Sequence, residues 1–181
     1  MRVLVVYASK YGATKGIAER ITATLNESGV QAAMVPAKKA GELDGYDAYV
    51  IGSAAYMFSW LHEATDFVRR NAALLKTKPV WLFSSGPIGE AKFDEKGRDV
   101  LVTAVPKEFA ELNESIHPRG QQVFFGAFDH TKLSAAHRLV YAMPAMKKLL
   151  VDGDWRDWNA IDAWAKTIAL ALTPTAVAGR I

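Results

Sequence analysis

The sequence predicts a doubly wound α/β domain. Short, nearly continuous apolar runs recur along the chain, segments of helix length separate them, and those segments carry apolar stripes at helical spacing. Its 181 residues are enough for one well-buried domain and few for two.

The runs Arg2–Ala8, Val30–Val35, Asp47–Ser53, Lys78–Ser84 and Gln121–Ala127 read as strands. Near-continuous apolar character marks parallel strands covered on both faces. Between them, Ile17, Ile21 and Leu25 share a helix face that stops near Ser28-Gly29. A second stripe holds Leu61, Ala64, Phe67, Val68 and Leu75. A third holds Ile161, Trp164, Ala165, Ile168 and Leu172. Helices are expected on both faces of the sheet. Residues 129–153 form an insert longer than a minimal connection before the last helix. In it Ala136, Leu139, Val140, Met143, Met146 and Leu150 make one stripe, opposite His137, Arg138 and Lys148, with Lys132 and Lys147 nearby. This predicts an amphipathic helix bent at Pro144, either packed on the core or lying on an anionic membrane through 132–150. Residues 1–173 make the domain and Pro174–Ile181 a loose tail.

Composition sets limits on chemistry. Hydrophobic residues make up 50% and charged residues 23%, ordinary for a soluble globular chain. No cysteine is present, which removes disulfides, thiolate metal sites and thiol catalysis and suits a reducing cytoplasm. The chain starts straight into a strand without a signal-peptide layout. No apolar run nears the ~20 residues that span a bilayer. A net charge of +3 is too weak to argue for nucleic acid.

The turn after the first strand reads Ser9-Lys10-Tyr11-Gly12-Ala13-Thr14. At the carboxyl end of a parallel strand, backbone N–H groups and the positive end of the next helix face a ligand. Gly12 admits a backbone conformation closed to bulkier residues. Ser9 and Thr14 bring hydroxyl donors, and Tyr11 its backbone N–H. The pattern is neither G-x-x-x-x-G-K-[ST] nor G-x-G-x-x-G, which disfavours a nucleoside triphosphate and a dinucleotide. The plainer alternative is a strand-to-helix turn with a serine N-cap. No Ser-His-Asp set, zinc site or paired carboxylates stand out. His62, His117, His130 and His137 lack ligand spacing and read as surface residues, His130 being the one near a strand end. No catalytic acid or base is singled out.

Ser9–Thr14 resembles the phosphate loop of the flavodoxin family, [ST]-x-[TYS]-G-x-T. Flavodoxin itself illustrates the rule that ligands bind where the strand order reverses. The resemblance implies a five-stranded parallel sheet of order 2-1-3-4-5 and an FMN cofactor. It places Ser53, Ala54, Ala55, Tyr56, Met57 and Phe58 beside the flavin ring, with Tyr56 and then Trp60 as stacking partners. It places Ser84, Ser85, Gly86, Pro87 and Gly89 at the ring's other side. Gly52–Tyr56, Phe67-Val68, Phe125–Phe128 and Asp154–Trp158 resemble the flavodoxin-like menaquinone-dependent protoporphyrinogen oxidases. Two of that group's features are missing: Tyr56-Met57 stands where it carries an Arg-Tyr pair, and Ser84–Gly89 lacks its basic pair, with only Lys92 near. The insert is also shorter and less basic.

The resemblance implies an FMN-dependent oxidoreductase of heme biosynthesis that passes electrons to a quinone or another redox partner. Alternatives are a flavodoxin-type electron carrier, another FMN-dependent quinone reductase, or a non-enzymatic binding module. Carriers of that type are strongly acidic, unlike a chain of pI about 9.1. The implied location is the cytoplasm, with peripheral contact at the inner face of the membrane. A homo-oligomer is compatible with it, and nucleic acid is not an expected partner.

Overall fold

Burial of the first apolar run sets the architecture. The structure is a computed structural model that describes residues 1–41 and 43–173. The tail expected at 174–181 lies outside the described residues. Strand β1 (Arg2–Ala8) is buried at every position after Arg2. Its residues alternate between two cores, as the twofold pleat requires. Val3, Val5 and Tyr7 join a cluster with Ile17, Ile21 and Leu25, whereas Leu4, Val6 and Ala8 join one with Phe67, Val68 and Leu112. Fully burying one such aliphatic side chain is worth about 1.5–3 kcal/mol.

The chain then winds outward. Helix α1 (Ala13–Glu27) leads to β2 (Gln31–Pro36), parallel to β1 with Val3 opposite Ala32. Strand β3 (Ala48–Tyr56) lies on the other side of β1, with Val5 opposite Val50. A short strand β4 (Ser59–Trp60), helices α2 (His62–Arg70) and α3 (Ala72–Leu75), and β5 (Val80–Ser85) follow. Next come α4 (Val100–Thr103), α5 (Glu108–Ile116) and β6 (Gly120–Phe124). The parallel order is β2-β1-β3-β5-β6; leaving out the antiparallel β4, it is the expected 2-1-3-4-5. The order reverses at β1 and β3, so their carboxyl ends open a crevice.

After β6 come β7 (Ala127–Phe128), α6 (Ala135–Tyr141), α7 (Pro144–Leu149), β8 (Gly153–Asp154) and the closing helix α8 (Trp158–Leu172). α8 covers the same face as α1: Ile161, Ala165 and Ile168 bury into the first core.

Several expectations change. The third strand runs on to Tyr56 and turns into a hairpin, because Ala55 and Tyr56 pair with Trp60 and Ser59. The fifth parallel strand stops at Phe124 instead of Ala127. Gly126 leaves the ladder, donating its N–H to Pro87 O at 2.7 Å and accepting from Trp155 N at 3.1 Å. Ala127-Phe128 then pairs antiparallel with Gly153-Asp154, closing the base of the insert. The insert is two helices, not one bent helix. Pro144 starts α7 at its first turn, where its missing N–H costs nothing. The break resets the helical phase and splits the expected stripe: Leu139 is 76% and Met143 54% exposed, while Met146 turns inward. Among the described residues no helix is long and apolar enough to cross a membrane.

Candidate functional site

The end of β1 delivers a turn whose hydrogen bonds are left open on one side. Gly12, at φ 94°, is the residue that caps α1, and no side chain caps the helix. Ser9 is not an N-cap. Its Oγ accepts from Gly12 N at 3.0 Å and closes the turn itself, so the plain N-cap alternative does not describe this site. The first N–H groups of α1 have no intrahelical partner, and no acidic residue sits in the first turn. Thr14 is buried, yet its Oγ1 finds no partner among the described residues, and neither does the buried Tyr11 hydroxyl. An orphaned Thr14 hydroxyl beside the open N–H groups of a helix's first turn is a donor set of the kind that holds a phosphate.

This turn is one wall of a cavity of about 860 Å³, near the upper end of the ~300–1,000 Å³ typical of ligand sites. Ser9, Lys10, Tyr11, Gly12, Ala13 and Thr14 all line it. The end of β3 adds Ala54, Ala55, Tyr56 and Met57. The loop after β5 adds Ser85, Gly86 and Ile88, with Gly126 beside them. Thus three segments far apart in sequence meet where the strand order reverses, as a phosphate-plus-ring ligand requires. The insert supplies the remaining wall. Phe128, Leu133, Val140, Tyr141, Met146 and Leu150 give it an apolar surface, with Lys132 and His137 between them.

Other expected residues stand off the cavity wall. Ser53 is fully buried, and its Oγ donates to Ala54 O and accepts from Leu61 N, a structural role at the start of the hairpin. Ser84 is fully buried within β5, its Oγ without a partner among the described residues. Pro87 and Gly89 flank the wall-forming Ile88, and Phe58 is half-exposed and does not line the cavity. Trp60 is not available as a stacking partner. It is 3% exposed and packs edge-on against Phe109, ring centroids 5.1 Å apart. The hairpin carries it down into the second core.

Lys10 lies across the aromatic rings beside the turn. Its Nζ lies 5.8 Å from the Tyr56 ring centroid, 5.7 Å from that of Tyr11, and 3.3 Å from His137 Nε2. An ammonium only donates, so His137 Nε2 accepts and Nδ1 carries the proton, which goes to Ser134 Oγ at 2.6 Å. His137 is exposed, as expected, and through Lys10 it links the insert to the Ser9–Thr14 turn. Tyr56 is 45% exposed as a whole residue, yet its phenol is pushed up to about 12, first by burial and then by Tyr11. It is a neutral hydrogen-bonding group at ordinary pH.

His130 does not line the cavity. Its Nδ1 lies 2.5 Å from Asp152 Oδ2, and its ring stacks on Tyr141. Asp129 joins them within 4.8 Å, but it already accepts from Thr131 N and Oγ1. The cluster is a clasp across the ends of the insert.

Arg156 is on the wall without any spacing in the sequence to announce it. It enters between β8 and α8, and its Nη1 donates to Ala13 O at 3.2 Å. Asp154 receives its Nε at 2.7 Å, and this pairing with Arg156 holds the Asp154 carboxyl below its ordinary value.

The orphaned Thr14 and Tyr11 hydroxyls, the uncapped helix and the apolar walls fit the phosphate and ring of FMN. Comparisons with known proteins agree. The family model described as "Flavodoxin domain" matches residues 4–149. A flavodoxin from the domain Archaea shares 18% identity at a TM-score of 0.57, covering 94% of this chain and 98% of its own. Streptococcus pneumoniae TIGR4 flavodoxin shares 16% at 0.60, covering 95% and 100%. Rubredoxin oxygen:oxidoreductase of Desulfovibrio gigas shares 16% at 0.60 over 94% of this chain, which spans only 36% of that longer protein. These likenesses extend the fold across the chain, and the matched family settles its kinship: the chain belongs to the flavodoxin domain family, whose cofactor is FMN.

Proposed function

We propose that the chain is an FMN-dependent oxidoreductase that exchanges electrons with a small apolar substrate, a quinone being the acceptor. The single observation that carries this reading is the apolar wall that the insert lays over the cavity through Leu133, Val140, Tyr141 and Met146. A carrier that docks on proteins does best with an open ring edge and a charged rim. Here the approach is a cleft of small-molecule size with an apolar face.

Bound FMN supplies one- or two-electron transfer. The chain's residues bind and orient. Ser9, Thr14 and the first N–H groups of α1 would hold the phosphate, and the backbone of Ala55 and Gly86 would border the ring. Tyr56 and Lys10 would lie at its edge, and the insert would exclude water. A protoporphyrinogen as the reduced substrate is the finer form of this reading. It is supported by the resemblance of Gly52–Tyr56 and Asp154–Trp158, and by the apolar walls of the cleft, which suit a large planar ring system. The missing arginine beside Tyr56 weighs against it.

A second reading, a flavodoxin-type electron carrier, is favoured by the family and by the flavodoxins among the structural neighbours. Stopped-flow reoxidation of the reduced holoprotein by menadione separates the two. The oxidoreductase gives a rate that saturates with menadione and falls in Val140→Lys. A linear, variant-insensitive rate sinks it and leaves the carrier. Porphyrinogen turnover by the same holoprotein, read as porphyrin fluorescence, tests the finer substrate.

A further inference from the structure

We propose that Arg156 is a specificity residue for the phosphate end of the cavity, making the site select a flavin phosphate over the dephosphorylated flavin. The inference rests on the FMN reading above and assigns it a residue outside the Ser9–Thr14 turn.

Lys10, the turn's one lysine, is drawn to the Tyr11 and Tyr56 rings and to His137, and Lys15 in α1 pairs with Glu19 at 2.9 Å. A phosphate in the turn would meet dipoles and hydroxyls, but no cation from the turn. Arg156 fills that place. Its side chain is 16% exposed, and it lines the cavity beside Ala13 and Thr14. The position is built. A Cβ on Gly16 would come within 2.5 Å of Arg156 Nη1, so the glycine leaves the room in which the guanidinium lies against the first turn of α1. The Trp158 ring lies beneath it, 4.4 Å from Cζ to the centroid. Asp154 takes its Nε and one Nη2 N–H, and Ala13 O takes one from Nη1. Of the five N–H donors of a guanidinium, one on each Nη then has no partner among the described residues. Asp154 neutralises the cation while it holds the fork, so the contribution is directional hydrogen bonding more than net charge. The buried Thr14 Oγ1, without a partner among the described residues, is a further unmet hydroxyl on the same cavity wall.

The test titrates FMN and riboflavin into the apoprotein and reads quenching of flavin fluorescence. Wild type is expected to prefer FMN. Arg156→Gln is expected to weaken FMN about tenfold, the factor of one charge-assisted hydrogen bond, and to leave riboflavin unchanged. Arg156→Lys should keep part of the preference. Inorganic phosphate should raise the melting temperature of the wild-type apoprotein and have less effect on Arg156→Gln. Equal losses for FMN and riboflavin in both variants would mean a structural role and overturn the proposal. Unchanged FMN binding in Arg156→Gln overturns it too, while leaving the FMN reading intact. A wild-type apoprotein that binds no FMN overturns both.

Discussion

Thr14 carries a conflict between stability and binding in one side chain. Its hydroxyl is buried with no partner, a state that costs about 1–3 kcal/mol. Valine keeps the branched shape and drops the polar atom. Thr14→Val is therefore expected to raise the melting temperature of the apoprotein by about 2–4 °C for each kcal/mol recovered, while weakening FMN about tenfold for the lost hydrogen bond. Calorimetry and flavin-fluorescence titration check the two halves separately. Undiminished affinity would remove Thr14 from the phosphate site. The sequence identified this residue because its signal is local: strand end, glycine, hydroxyl, helix start. Trp60 shows the opposite case. Its position after β3 suggested a ring contact, but the turn between them folds back and drives the indole against Phe109.

That turn shows strain at the level of the element. Met57 and Phe58 are the two residues between the paired Tyr56 and Ser59, and both lie at positive φ, 50° and 63°. Two-residue hairpin turns of this type favour Asn-Gly, since left-handed backbone is costly for bulky side chains. Burial does not repay the strain, because Met57 is 89% and Phe58 54% exposed. The hairpin is held by its neighbours instead. Lys107 N donates to Phe58 O at 2.9 Å, Trp60 N to Glu108 Oε2 at 3.1 Å, and the Trp60 indole anchors the base. Left-handed non-glycine residues cost on the order of 1–3 kcal/mol each. The double substitution Met57→Asn, Phe58→Gly is expected to raise the melting temperature by roughly 5 °C. A fall would show that these side chains stabilise the hairpin by contacts of their own. The insert is the other element where position mattered more than pattern. A helical stripe was legible from Ala136 to Leu150, but Pro144 restarts the helix, so the side facing the cavity is set by two separate helices.

At the scale of the molecule, the last helix is fastened to the first. Arg20 donates through Nε to Asp162 Oδ1 at 2.6 Å and through Nη2 to Oδ2, and Thr24 Oγ1 donates to the same carboxylate at 2.9 Å. The bond from Arg20 is the main cause that holds the Asp162 carboxyl below its ordinary value. A folded-state value below the unfolded one, about 3.9, gives stability that is complete above that pH and lost as pH falls through the folded value. Asp162→Asn is therefore expected to melt below wild type at pH 7, with the difference shrinking as pH drops below about 4. Melting curves across that range check it, and a constant difference would mean that the carboxylate's charge is not what holds α8 to α1.

The sequence by itself determined the alternation of strands and helices, the two faces of β1 and the open turn between β1 and α1. Each follows from a period or a turn that a few neighbouring residues define. Tertiary structure decided which residues complete the site. His137 reaches Lys10 from 127 positions away and Arg156 reaches Ala13 from 143. No local pattern records such meetings, because they depend on how the insert and the last helix close over the sheet. The β3–β4 hairpin likewise keeps Trp60 and Ser53 off the cavity wall, since strand register, not nearness in sequence, fixes which side chains face a ligand.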